Sequence, residues 1–258
     1  MYLSRLILDT KSRAVRRDMS DCQQMHRTIL SAFSDLESKG IDARQKFGVL
    51  HRLDMSRIGA PTLLVQSNER PDWSRLPAGY LIKDPSLENP ACKNIDEQYD
   101  GISDGDVFAF CLRANPTKKT GTTKKSDIMA GKQKNNGTRV PLHGDDAQIN
   151  WLMSKGIGGG FAILQVKIAS RLADPEAYLQ HGPLSDATIN DEGLWKSKSL
   201  KGHQKDDSGK INDLSLASVL FEGRLRVTDR DLFLETIKKG IGPGKAYGFG
   251  LLSIARAS

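Results

Sequence analysis

The run Gly240-Ile241-Gly242-Pro243-Gly244-Lys245-Ala246-Tyr247-Gly248-Phe249-Gly250-Leu251-Leu252 constrains the fold of this chain more than any other segment. Five of its thirteen residues are glycines. Glycine allows φ > 0 and close backbone approach, so no helix propagates through such a run. Ahead of it, Thr228-Asp229-Arg230-Asp231 has the form of a capping box. The helix it opens carries Leu232, Phe233 and Ile237, places Lys238 and Lys239 in its last turn and stops at Gly240. Behind it, 251–255 reads as a closing strand. The local order is therefore helix, glycine loop, strand. Such a loop can aim several N–H groups at an anion, with the charge of Lys245 beside them. It can equally be a tight turn with a bulge, and composition leaves both readings open. It is not a P-loop, because Ala246 follows Lys245 where Ser or Thr is required. Nor is it a dinucleotide fingerprint, which follows a first strand and opens a helix.

Strands are expected at 2–8, 47–54 and 61–66, with a helix from Ser20 or Asp21 to about Lys39 whose core stripe is Cys22, Met25, Ile29, Phe33 and Leu36. Residues 11–18 read as a basic loop, and 73–82 hold a short helix. The Pro- and acid-rich stretch 84–105 reads as the linker. A second unit starts with a strand at 107–114. Asp145 or Asp146 caps a helix bearing Ile149, Leu152 and Met153, and Trp151 lies on its core side. The helix ends at 156–160, and a strand follows at 161–168. Segments 194–203 and 216–227 read as a hairpin. Each half has the order β-α-β-β-α-β, so the predicted class is α+β with two tandem ferredoxin-like domains, 1–98 and 99–258. A chain of 258 residues is long enough for two cores.

Net charge is +7, and all of it lies between Cys111 and Val140. Eight cations (Arg113, Lys118, Lys119, Lys124, Lys125, Lys132, Lys134, Arg139) face one acid, Asp127. A local basic block in a neutral background points to a polyanion, and a solvated loop is the plainer alternative. The three cysteines are widely spaced with no C-x-x-C, which gives neither a disulfide framework nor a zinc knuckle. The five histidines form no H-x-x-x-H, so no metal or other cofactor is expected. No apolar run reaches the roughly 18 residues of a membrane-crossing helix. The N-terminal apolar run is too short for a signal peptide, so a cytoplasmic protein without membrane association is expected.

Five runs carry a specific resemblance: Met1-Tyr2-Leu3-Ser4-Arg5, Gln24-Met25-His26, Leu112-Arg113-Ala114-Asn115-Pro116, Arg139-Val140-Pro141-Leu142 ahead of Gln148-Ile149-Asn150-Trp151-Leu152, and the glycine run itself. In this order and spread over the whole chain, they resemble the CasE family, the type I-E CRISPR repeat endoribonucleases. The resemblance implies tandem ferredoxin-like domains and cleavage of stem-loop repeats in precursor CRISPR RNA without a metal. It implies 2′,3′-cyclic phosphate and 5′-OH ends and retention of the product among the other subunits of a surveillance complex. It also assigns His26 as the catalytic histidine.

An imidazole titrates near neutrality and can serve as acid or base. Helical spacing sets His26 roughly 60° from the centre of the core stripe, at its edge. By itself that also describes an ordinary boundary histidine. Where the family often has a tyrosine, three residues earlier, this chain has Gln23. A glutamine can orient a phosphate or 2′-OH but cannot exchange a proton as a phenol can. Arg27, Lys245 and Tyr247 are alternative assistants. Arg113, Lys118, Arg139 and Lys155 are candidates for contact with the stem backbone, alongside Arg27, Gly242, Gly244, Lys245 and Gly248 near the cut. The competing function is a non-catalytic subunit that holds an RNA stem-loop. A two-histidine phosphoesterase needs two H-x-[ST] motifs, and only His26-Arg27-Thr28 qualifies.

Overall fold

The computed structural model describes residues 1–33, 46–55, 60–122, 129, 136–168, 200–205 and 211–256. The first sheet contains β1 (Tyr2–Ile7), β2 (Leu50–Asp54), β3 (Thr62–Ser67) and β4 (Ala91–Asn94), in the antiparallel order β2-β3-β1-β4. The second contains β5 (Val107–Ala114), β8 (Phe161–Ile168), β11 (Val219–Val227) and β12 (Leu252–Arg256), in the order β12-β5-β11-β8. Each places the first and third of its strands at the centre and the last beside the first, which is the ferredoxin-like arrangement. Two antiparallel ribbons are inserted in the second unit. β6 (Thr117–Thr122) pairs with β7 (Asn136–Pro141), and β9 (Leu200–Lys205) pairs with β10 (Ile211–Leu216).

Helix α1 (Arg13–Ser20) stands where a basic loop was expected. Val15 and Met19, four residues apart, are buried while Arg13, Arg16 and Arg17 are exposed. The density of charge hid an amphipathic period. Asp18 is buried with it, accepting hydrogen bonds from the Tyr80 hydroxyl at 2.9 Å and from Arg17 Nε at 2.8 Å. Helix α2 (Cys22–Leu30) is capped as expected, since Asp21 Oδ1 accepts from the backbone N–H of Gln23 at 2.9 Å. It ends at Leu30, short of the expected Lys39, and the expected continuation lies mostly outside the described residues. Cys22, Met25, Ile29 and Phe33 are buried as the stripe required.

The expected linker is largely structured. β4 pairs with the free edge of β1, and α3 (Asp96–Asp100) follows. Strand order across the sheet decides this, and the Pro-rich local sequence conceals it. Helix α4 (Asp145–Ile157) takes Gly144 as its N-cap, with Asp145 and Asp146 in the first turn rather than at the cap. Trp151 and Leu152 are buried, but Met153 is 47% exposed. The expected hairpin between 194–203 and 216–227 is not formed. β9 pairs with β10, and β11 joins β5 and β8. Two adjacent β-rich segments carry no local signal of which will pair. Helix α5 (Arg230–Lys239) begins with Asp229 accepting from Leu232 N–H at 3.0 Å and ends at Gly240, as read from the sequence.

The domains are joined through β2. Arg52 donates two hydrogen bonds to Asp54, at 2.7 and 2.9 Å. Its Nη1 reaches across to the Cys111 carbonyl and to Ser253 Oγ, both at 3.0 Å. Gln66 Nε2 donates to the Ile237 carbonyl at 3.0 Å. Gly240 lies so close to Leu50 that an added Cβ would stand 2.8 Å from its methyls.

Candidate active site

Strand alternation and helix period meet where the glycine run of the second domain packs against α2 and β2 of the first. Val49, just before β2, and Leu53 on it face the first core, so His51, between them, points to the same side, toward α2. On α2, His26 lies at the stripe's edge and is half-buried. The two imidazoles stack with centroids 6.2 Å apart and planes 18° from parallel. His51 is only 1% exposed. Burial first, then the charges of His26 and Arg113, pushes its pKa down to about 3. His51 is therefore neutral at any pH where the protein would work. Gln23, one helical turn before His26, has its Oε1 buried without a hydrogen bond.

The glycine run reaches this histidine pair from the second domain. All five of its glycines have positive φ, between 72° and 87°. A 3-10 turn, Lys245–Tyr247, forms at its centre and packs against α2 and β2. Gly248 adjoins His51, and a Cβ there would sit 3.5 Å from His51 Nε2. Gly242 lies under the Trp151 ring and Gly244 against Phe249, each with 2.9 Å for an added Cβ. These two positions have a packing reason to be glycine independent of any ligand. The N–H groups of Ile241, Tyr247 and Gly250 are bonded to the carbonyls of Gly250, Gly244 and Arg113. The loop is thus an aromatic-backed shelf held against the histidines. Tyr247 lies beside the start of α2, where burial and the neighbouring Cys22 and Asp21 raise its phenol pKa.

The basic candidates separate into two groups. Lys118 and Arg139 are exposed on the β6–β7 ribbon, with Lys119 directly opposite Arg139 in register. Like charges directly opposite destabilise a ribbon unless an anion lies over them. Lys155 is exposed on α4, its Nζ 5.6 Å over the Trp151 ring, and Arg27 is exposed on α2. Arg113 is different. It is 4% exposed at the end of β5, inside the domain interface, so it is not a surface contact for a stem. Burial lowers its pKa to about 10.

The sequence singles out His26 and the glycine run as candidates, and His51, which the fold sets beside both, has no local motif. Alternation along 49–53 was the available signal, and it places His51 on the core-facing side of β2. Among the described residues, no three His, Cys, Asp or Glu side chains converge as a metal site requires. No described helix is long and apolar enough to cross a membrane.

Tandem ferredoxin-like domains with a stacked histidine pair where they meet, and a basic ribbon on one of them, define a class of two-domain α+β protein suited to a polyanion. A family model described as CRISPR associated protein matches residues 1–256. The CRISPR-associated endoribonuclease Cse3 of Thermus thermophilus is 34% identical over 257 residues, covering 99% of this chain and all of that protein. The CRISPR system Cascade subunit CasE of Escherichia coli is 29% identical over 255 residues, covering 99% of each. The structure of Thermus thermophilus Cse3 bound to an RNA representing a pre-cleavage complex superposes with a TM-score of 0.66, at 30% identity over 98% of both chains. The chain belongs to the CasE family of CRISPR-associated endoribonucleases.

Proposed function

We propose that this protein cuts the stem-loop repeats of precursor CRISPR RNA at the His26 site and stays bound to the product within a type I-E surveillance complex. The observation that carries the site is the stack of half-buried His26 on neutral His51, backed by Gly248. In the reaction the 2′-OH loses its proton as the 2′-oxygen bonds to phosphorus. The bond from phosphorus to the 5′-oxygen breaks, and that oxygen takes up a proton. One fragment ends in a 2′,3′-cyclic phosphate and the other in a 5′-OH. The nucleophile belongs to the RNA, so the protein supplies proton transfer, charge and orientation. His26 exchanges a proton at one of the two oxygens. Because His51 is uncharged, it leaves His26 free to change protonation state without a second cation in the stack.

Residues 1–98 carry the histidines in this reading, and residues 99–258 carry the binding surface. Lys118, Arg139 and Lys155 contact the stem backbone. Arg27, Lys245 and the shelf at Gly242, Gly244 and Gly248 hold the strand near the cut. An A-form stem offers phosphates and shape more readily than base edges, which suits such a surface. A cytoplasmic location follows from the RNA substrate.

A second reading is a stem-loop holder without catalysis, favoured by Gln23 in place of a tyrosine. His26→Ala separates the two. The enzyme reading expects cleavage of labelled repeat RNA to be lost with binding kept, blocked equally by a 2′-deoxy residue before the cut and indifferent to EDTA. Cleavage by His26→Ala at the parent's rate would sink it.

A further inference from the structure

Arg113 is a buried cation with no hydrogen-bonded carboxylate among the described residues. Phe108, Phe110, Leu112 and Ala114 of β5 face the second core, so Cys111 and Arg113 face the first domain. Arg113 Nε and Nη2 are buried and donate to nothing. The carboxylate that bears on it is Asp54, and both oxygens of Asp54 are already held by Arg52. Glu222, opposite Cys111 on β11, bears on Arg52. His51, whose charge state Arg113 influences, has its own Nδ1 buried and unbonded. Asn115, two residues on from Arg113, has Oδ1 buried and unbonded. Folding strips water from a guanidinium only at a cost, and buried charges are ordinarily paired. The unmatched donors here are those of the Arg113 guanidinium, beside the histidine stack.

We propose that Arg113 is the anion anchor of the cleavage site, its guanidinium receiving the non-bridging oxygens of the phosphodiester being cut. The inference rests on the reading of His26 as the proton-transfer group. A planar guanidinium fork matches two phosphate oxygens. A fixed cation in a water-poor site favours the phosphorane, where negative charge gathers, more than the substrate. Neutral His51 beside it neither repels the guanidinium nor competes for the anion. The fold leaves the cation unpaired so that the RNA completes the pair.

The test compares Arg113→Met and Arg113→Lys with the parent, using single-turnover cleavage at saturating protein, affinity for a 2′-deoxy-blocked stem-loop, and melting of the RNA-free protein. Arg113→Met is expected to cut on the order of 10²-fold slower or worse. It should bind the blocked stem-loop within about tenfold of the parent, since other cations supply most of the phosphate contacts. Its RNA-free melting temperature should equal or exceed the parent's, because an unpaired buried charge is gone. Inorganic phosphate at fixed ionic strength should raise the melting temperature of the parent and leave that of Arg113→Met unmoved. Arg113→Lys should retain part of the rate, and it decides the matter if the Met variant does not fold. Cleavage at the parent's rate by either variant overturns the proposal. So does a slow rate that accompanies a lower melting temperature and recovers on cooling, which marks a structural role. If His26→Ala is inactive while Arg113→Met cuts normally, only the Arg113 assignment falls. If His26→Ala still cuts, the reading of the site falls first.

Discussion

Acid should destabilise the RNA-free protein through one side chain, His51. Its pKa is pushed from 6.5 to about 3 in the folded state by burial and by the charges of His26 and Arg113. In the unfolded chain it returns to about 6.5. Between those values the unfolded state binds a proton that the folded state refuses. Its contribution is therefore fully present above the unfolded value and is lost as pH falls toward the folded one. Integrating that linkage from pH 7 to pH 5 gives a loss of about 2 kcal/mol from this residue. His51→Asn removes the titration while keeping a polar group of similar reach. Urea unfolding of both proteins at the two pH values, followed by the buried Trp73 and Trp151, measures the difference. The parent should lose about 2 kcal/mol more than the variant on acidification, a relative midpoint shift of roughly 0.7 M for an m-value on the order of 3 kcal/mol/M. His26 and the carboxylates are present in both proteins and cancel to first order. A difference below about 0.5 kcal/mol, a small part of the value of two pH steps, would refute the claim that His51 is held neutral by burial.

Two other perturbations test the architecture. Arg52→Met removes both bonds to Asp54 and the two that reach Cys111 and Ser253 across the interface. Arg52 is buried but the Asp54 side chain is 34% exposed, so breaking the pair costs less than a fully buried one, on the order of 2–3 kcal/mol. Calorimetry should show a fall in melting temperature of roughly 4–12 °C, and a fall below about 2 °C would show that the domains are not joined there. Gly248→Val forces a β-branched residue into φ +87° and puts a Cβ 3.5 Å from His51 Nε2. The backbone strain is of order 1–3 kcal/mol. Cleavage should slow on the order of 10²-fold, as displacement of a catalytic group by an ångström does. A folded Gly248→Val protein cutting at the parent's rate would remove the shelf from the mechanism.

Local sequence determined much of this protein. Asp21 and Asp229 are short-range caps, and each holds its helix start where reading predicted. The strands at 107–114 and 161–168 match their expected bounds, because alternation or an apolar run suffices to mark them. The positive φ of the glycine run follows from its composition. His26 could be placed at a stripe edge from helical period alone. What local pattern could not reach was pairing and charge compensation. β11 could have joined its chain neighbour or β5 and β8, and the competition among strands across the sheet chose the latter. The strand within the apparent linker exists because β1 had an open edge to fill.

The site divides in the same way. Residue 26 is legible as a histidine at a boundary, whereas residue 51 becomes a partner only when β2 is laid under α2. Arg113 reads in sequence as one more member of a basic block. Tertiary structure takes it out of that block, buries it between two domains, and gives the hydrogen bonds of Asp54, the carboxylate that bears on it, to Arg52 instead. Sequence sets which groups a chain carries and the period on which each side chain points. Water exclusion and through-space charge act between residues far apart in the chain, and only the packed fold decides which groups they reach.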